Sequence, residues 1–143
     1  MRIAITARGS HPSSEVDESF GRAYWFLLFD TKTESYVAVD NTVIRNSQEN
    51  AGVKAAELLK ERNVNILLTG ETGPKAFRSL VEKGIKVFHG ASGSVEDTLN
   101  AWLEKGMIEA EHANSPGSPY CLVVQSKTLQ VDAPKVLLDL LKP

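Results

Sequence analysis

The chain has 143 residues, of which 42% are hydrophobic and 24% charged, and its formal net charge at pH 7 is -2. This length and composition are typical of one soluble globular domain that buries a single core and needs no disulfide or metal ion to fold. The slight negative charge argues against binding to phosphate backbones, so we expect no nucleic-acid partner.

Cys121 is the single cysteine of the sequence, which excludes an internal disulfide and a cage of several thiolates. The apolar run near the N-terminus is too short for the core of a signal peptide, which has about 7–15 apolar residues. No window reaches the roughly 18 apolar residues of a membrane-spanning helix. We therefore expect a cytoplasmic protein without a membrane partner.

The first elements in chain order are three strands. Residues 2–7 predict a strand, and residues 24–30 form a strongly apolar run that predicts a central strand buried on both faces. A polar turn at residues 31–34 then precedes an antiparallel strand at residues 36–39. Together the three strands predict a meander.

Helices and strands alternate after residue 50. A helical hydrophobic period leads into the strand at 65–69, and Gly73 with Pro74 opens a second helix that Gly84 ends. A further strand follows at 85–89. Each crossover through a helix predicts that the strands it joins are parallel.

Ser94 and Asp97 have the spacing of a helix N-terminal cap, and Gly106 ends this third helix. The whole pattern over residues 1–106 predicts an α/β domain with a mixed sheet of five strands, three in a meander and then two reached by parallel crossovers. We predict a ribonuclease H-like fold.

The C-terminal extension, residues 107–143, is less regular. Its residues 109–120 are rich in Pro, Gly, Ser and Asn and predict a loop or linker. A strand is predicted at 121–125 and a short helix from Pro134. The extension either belongs to the same domain or forms a contact between subunits.

The predicted topology brings three loops to one rim of the sheet. These loops, residues 8–23, 70–74 and 89–94, follow strands one, four and five. Ligands of open α/β sheets favour this rim, and the loops that open helices should offer free backbone amides and a positive dipole end. The rim is suited to an anionic ligand.

The motif FGRA at residues 20–23, the glycine-rich turn at 70–74 and the run GASGSVE at 90–96 occur together in the order and spacing of a known family. Over residues 1–106 the chain resembles the dinitrogenase iron-molybdenum cofactor biosynthesis family, which includes nitrogenase cofactor carriers. The resemblance implies a ribonuclease H-like fold. It also implies a small carrier protein whose rim holds an iron-molybdenum or other molybdenum-containing cluster, or a related anion.

The rim loops contain nine candidate ligand-binding residues: His11, Ser19, Arg22, Gly70, Glu71, Gly73, His89, Gly93 and Ser94. In cluster-carrying members of the family, a histidine usually stands directly before the phenylalanine of FGRA, where this chain has Ser19. A serine hydroxyl is a much poorer metal ligand than an imidazole, so the resemblance predicts weakened cluster binding here.

Each candidate also has a purely structural interpretation. Arg22 either contacts a ligand or pairs with a carboxylate such as Asp17, and Phe20 is predicted to be a packing anchor. His11 and His89 have the alternative of ordinary hydrogen-bonded histidines, and the glycines have that of satisfying turn geometry.

Two functions besides ligand carriage stay open: a module that binds a protein partner, and an enzyme acting on a small anionic substrate. The first strand, RIAITA, contains no acidic residue, and nucleases of the ribonuclease H-like class need several carboxylates to hold two metal ions. We therefore predict a binding protein and no catalytic residues.

Overall fold

The strands lie in one mixed sheet. The computed structural model describes residues 1–115 and 128–130, and within them seven strands follow the order β3-β2-β1-β4-β5-β6-β7. Their bounds are β1 Arg2–Ala7, β2 Trp25–Asp30, β3 Ser35–Asp40, β4 Ile66–Leu68, β5 Lys86–Phe88, β6 Ile108–Ala110 and β7 Thr128–Gln130.

Four helices connect the strands within the described residues. Their bounds are α1 Thr42–Arg45, α2 Ala51–Glu61, α3 Pro74–Glu82 and α4 Val95–Lys105. The short α1 is absent from the sequence prediction, whereas the other three correspond to the predicted helices. No helix in residues 1–115 has the length and apolar character that crossing a bilayer requires.

The pairing confirms the predicted meander and crossovers. β1 pairs antiparallel with β2, and β2 antiparallel with β3. β1 also pairs parallel with β4, and β4 parallel with β5. The strand β2 is therefore interior to the sheet, and its central residues Phe26 and Leu27 are fully buried, as the apolar run predicted.

The prediction of five strands is wrong. β6 pairs antiparallel with β5 at Phe88 and Glu109, and β7 pairs antiparallel with β6. β6 thus overlaps the first two residues, 109 and 110, of the segment predicted to be a loop. Three residues carry too little alternation to indicate a strand, and the open edge of β5 supplies the backbone partners that make this segment extended.

The sheet is covered on both faces. The cluster that contains Phe26 and Leu80 packs between the sheet and the helices α2 and α3. A second cluster, which contains Leu68 and Trp102, packs between the opposite face and α4. This arrangement places the N-termini of α2 and α3 together on one side of the sheet.

The predicted helix ends are confirmed. Pro74 is the first residue of α3, and Gly84 follows that helix with a φ of 75°. The Oγ of Ser94 accepts a hydrogen bond from the amide of Asp97 at 3.0 Å, and α4 ends at Gly106. The predicted strand at 121–125 and the predicted helix from Pro134 lie outside the described residues.

Candidate binding cleft

A cleft of about 660 Å³ opens at the N-terminal ends of α2 and α3. Three segments form most of its lining: residues 19–22, which include the first three residues of the FGRA motif, residues 48–53 at the start of α2, and residues 71–76 at the start of α3. Ser115 completes the lining. The loops after β1 and β4 therefore meet at this cleft.

Small residues allow the walls of the cleft to pack closely against one another. A Cβ atom at Gly21 would lie 2.7 Å from the Cα and N atoms of Gly52, and a Cβ at Gly52 would lie 2.5 Å from that of Ala76. Real Cβ atoms do not come so close to other heavy atoms. The FGRA loop and the first turns of α2 and α3 can pack in this way only because these positions carry no larger side chain.

The first turns of α2 and α3 are not capped by side chains. Their N-cap residues, Asn50 and Gly73, make no side-chain cap hydrogen bond within the described part of the chain. The first amides of a helix lack intrahelical acceptors, and the helix dipole makes that end electropositive. The positive ends of two helix dipoles thus face one cleft.

Arg22 binds backbone carbonyl groups. Its Nη1 donates to the carbonyl of Arg45 at 2.6 Å and to that of Ser47 at 3.2 Å. The alternative of an Arg22–Asp17 ion pair is not observed among the described residues, and the Asp17 carboxylate accepts hydrogen bonds from the amides of Ser19 and Tyr24. Arg22 therefore fixes the segment that leads into α2 while its side chain lines the cleft.

The loops after β1 and β4 are paired through their backbones. The amide of Phe20 donates to the carbonyl of Glu71 at 3.2 Å, and the amide of Glu71 donates to that of Glu18 at 2.7 Å. A Cβ at Gly70 would lie 2.7 Å from the backbone of Glu18. Ser19 and Glu71 consequently lie side by side, and Phe20 is a buried anchor as predicted.

The loop after β5 does not contribute to the cleft. The amides of Val95 and Glu96, in the first turn of α4, donate to the carbonyls of Ser14 and Pro12 at 2.9 Å. The expectation of free amides at α4 is therefore wrong, because the loop after β1 folds over this helix end. Gly93 and Ser94 lie in this contact, outside the cleft lining.

The two candidate histidines are also outside the lining. His11 is exposed, and its Nδ1 is bonded to the Oγ of Ser13 at 2.8 Å. The Nε2 of His89 lies 2.8 Å from the Oγ1 of Thr72, while its buried Nδ1 has no hydrogen-bond partner within the described residues. Burial lowers the pKa of His89 to about 4, so its imidazole is neutral at neutral pH.

The charges around the cleft are mixed. Arg22 and Lys75 bring positive charge to the lining, and Glu49 and Glu71 bring negative charge. No three His, Cys, Asp or Glu side chains in the described ranges are close enough to hold a metal ion.

Sequence reasoning missed the segment 48–53, which forms a whole wall of the cleft. The only available signal was the glycine at position 52 inside a helical pattern, since such glycines often mark a close approach. No sequence pattern indicated Ser115 as a lining residue, because it lies in a segment whose composition predicted only a loop.

Known proteins resemble this chain over most of its length. The sequence model described as dinitrogenase iron-molybdenum cofactor matches residues 1–105, which confirms the resemblance found in the motifs. An uncharacterized protein of Methanocaldococcus jannaschii is 25% identical over 112 residues, which are 76% of this chain and 90% of that protein.

Two solved structures share both sequence and fold. The apo form of the orange protein from Desulfovibrio gigas is 36% identical, with a TM-score of 0.77 over 80% of this chain and 96% of that chain. A protein from Thermotoga, named as a candidate NifB protein, is 30% identical, with a TM-score of 0.67 over 76% of this chain and 91% of that chain.

Proposed function

Because the chain belongs to the dinitrogenase iron-molybdenum cofactor family, we propose that it is a small carrier protein that holds an anionic metal cluster, or a related molybdenum anion, in the cleft between α2 and α3. The cluster is the cargo of the protein and not a resident cofactor. The observation that carries this proposal is the convergence of two uncapped helix N-termini on one cleft.

Such helix ends bind anions because free amides point at the ligand and the dipole favours negative charge. The cleft has the volume to take a polyatomic anion of cluster size. Since the described residues offer no set of three metal-ligating side chains, the proposal is for a cluster held by its sulfur or oxygen atoms. Anionic sulfur and oxygen atoms accept hydrogen bonds from amides and guanidinium groups.

Arg22 provides the first test of this function. We expect wild-type protein to bind tetrathiomolybdate, a coloured molybdenum-sulfur anion, and Arg22→Ala to bind it about tenfold more weakly, because the substitution removes a cation from the lining together with the two hydrogen bonds that fix the segment leading into α2. Anaerobic titration followed by absorbance and by metal analysis measures both affinities. Raised salt should reduce the difference, because Arg22 is exposed and its charge is screened.

Arg78 offers a matched control for the loss of charge. It is an exposed arginine of α3 outside the lining of the cleft, so Arg78→Ala should bind the probe as wild type does. If both variants lost affinity for tetrathiomolybdate equally, the effect would come from the change in net charge, and the proposed site would be contradicted. Absence of binding by the wild-type protein, with tetrathiomolybdate and with an iron-molybdenum cluster, would end the proposal.

Ser19 provides a second prediction. Its side chain lines the cleft beside Glu71, at the position where cluster-carrying relatives are expected to have histidine. Ser19→His adds a neutral nitrogen donor and should raise the affinity for a metal-containing cluster by at least about tenfold, because imidazole binds transition metals far better than a hydroxyl. The affinity is measured by the same anaerobic titration.

The selectivity of this gain identifies its cause. Ser19→His should change the affinity for an iron-molybdenum cluster, and it should leave the affinity for inorganic molybdate nearly unchanged, since that ion offers no open metal position. Ser19→Asn controls for a larger polar side chain without an imidazole. If Ser19→Asn gained as much affinity as Ser19→His, direct ligation at this position would be refuted.

A further inference from the structure

Asn114 lies beyond the residues matched by the family and contacts the loop between β4 and α3. Its Oδ1 accepts a hydrogen bond from the amide of Thr72 at 2.8 Å, and its Nδ2 donates to the carbonyl of Gly70 at 3.0 Å. One end of the side-chain amide accepts while the other donates. The two bonds therefore define a single orientation of the loop relative to Asn114.

The backbone reinforces this contact. The amides of Asn114 and Ser115 both donate to the carbonyl of Thr72, at 3.2 and 3.1 Å. Ser115 itself lines the cleft. Two consecutive residues of the extension thus make four hydrogen bonds to residues 70–72.

The loop held in this way carries one wall of the cleft. Glu71, Thr72 and Gly73 line it, and Gly73 is the N-cap residue of α3. The position of Thr72 is also set from the other side by the hydrogen bond between its hydroxyl group and His89. A change in the path of residues 70–72 would move the amides at the start of α3 relative to the FGRA loop.

We infer that Asn114 is a positioning residue of the binding cleft, which holds the loop of residues 70–73 in the conformation that accepts the ligand. This inference rests on the proposed function. If the loop is ordered in only a fraction of the molecules, the apparent dissociation constant rises in inverse proportion to that fraction. Loss of the two side-chain bonds reduces the ordered fraction without removing any group that touches the ligand.

Asn114→Ala tests the inference. We expect its apparent affinity for tetrathiomolybdate to fall about tenfold, as it would if about one molecule in ten kept the loop ordered. Hydrogen exchange of the Thr72 amide, followed by NMR in the absence of ligand, should become faster, because the acceptor of that amide is lost. Asn100→Ala is the matched control, since Asn100 is exposed on α4 and away from the cleft.

Asn114→Asp separates the two side-chain bonds. A carboxylate can still accept from the Thr72 amide, but it cannot donate to the carbonyl of Gly70, and its second oxygen would repel that carbonyl. We expect the Thr72 amide to exchange more slowly than in Asn114→Ala, and tetrathiomolybdate to bind more weakly than to wild type. Urea unfolding of each variant shows that the domain remains folded. If amides throughout the domain exchanged equally faster in both variants, the cause would be a general loss of structure, and the positioning role would be overturned.

The outcomes distinguish the two proposals. If wild-type protein binds no probe, the proposed function fails and the positioning role fails with it. If wild-type protein and Asn114→Ala bind tetrathiomolybdate equally, only the inference on Asn114 is overturned. Weaker binding by Asn114→Ala with unchanged exchange of the Thr72 amide would also overturn it, since the loop would not have been released.

Discussion

Replacing Gly21 by alanine should both destabilise the domain and weaken ligand binding. The new Cβ would lie 2.7 Å from the backbone of Gly52, where no flexible side chain can move away. The loop cannot retreat, because the buried Asn41 donates to the carbonyls of Gly21 and Ala23 behind it. We expect a loss of about 1–3 kcal/mol in the free energy of unfolding, the usual cost of overpacking.

The same substitution should raise the dissociation constant for tetrathiomolybdate by roughly tenfold or more, if about 1.4 kcal/mol of that strain falls on the cleft. The reason is that the first turn of α2, which lines the cleft, must shift away from the FGRA loop. Urea unfolding and anaerobic titration measure the two effects on the same preparations.

Gly84→Ala is the matched control for Gly21→Ala. Gly84 has a φ of 75°, and no atom of the described residues lies within 4 Å of the position that a Cβ would take there. Alanine at this position therefore costs stability through backbone strain alone. Gly84 follows the C-terminal end of α3, away from the cleft, and binding should be unchanged. The explanation for Gly21 fails if Gly84→Ala impairs binding as strongly.

Trp102→Ala should cause the largest loss of stability while leaving the cleft intact. The indole is fully buried and packs edge-on against Phe88, with ring centroids 5.8 Å apart. Truncation of a buried tryptophan costs about 3–5 kcal/mol, a large part of the roughly 5–15 kcal/mol that stabilises a domain. The midpoint of urea unfolding should fall sharply with little change in its slope.

Trp102 packs on the face of the sheet covered by α4, opposite the helices that form the cleft. The folded fraction of Trp102→Ala should therefore bind tetrathiomolybdate with wild-type affinity. Trp25→Ala is the control. Trp25 is only partly buried at the start of β2, so its truncation should reduce the free energy of unfolding by less. An equal or larger loss for Trp25→Ala would contradict the packing described here.

The ends of α3 and α4 could be predicted from local sequence patterns. Pro74, Gly84, Ser94 and Gly106 act within a turn or two of their own position, so their roles follow from neighbouring residues. The same is true of the apolar run in β2, whose burial on both faces is visible in its composition. The family resemblance depends on motifs of the same local kind and is confirmed.

The candidate site was predictable in part. Ser19, Arg22, Glu71 and Gly73 lie together in the cleft, because the parallel pairing of β1 with β4 brings the ends of both strands to one rim. The ribonuclease H-like designation and the ligand stay predictions. The hydrogen-bond partners of Arg22 could not be predicted. They are the backbone carbonyls of Arg45 and Ser47, and every residue has such a group whatever its side chain.

The order of the first five strands and of the three longer helices, the ends of α3 and α4 and the family could be predicted from the amino acids alone, because they depend on side-chain type at short spacing. Which helix N-termini stay uncapped depends instead on contacts between distant segments. The loop after β1 covers the amides of α4, while Gly52 and Ala76 bring the uncapped ends of α2 and α3 together. Such contacts join residues far apart in the chain, and they are set by packing between elements rather than by propensity within one.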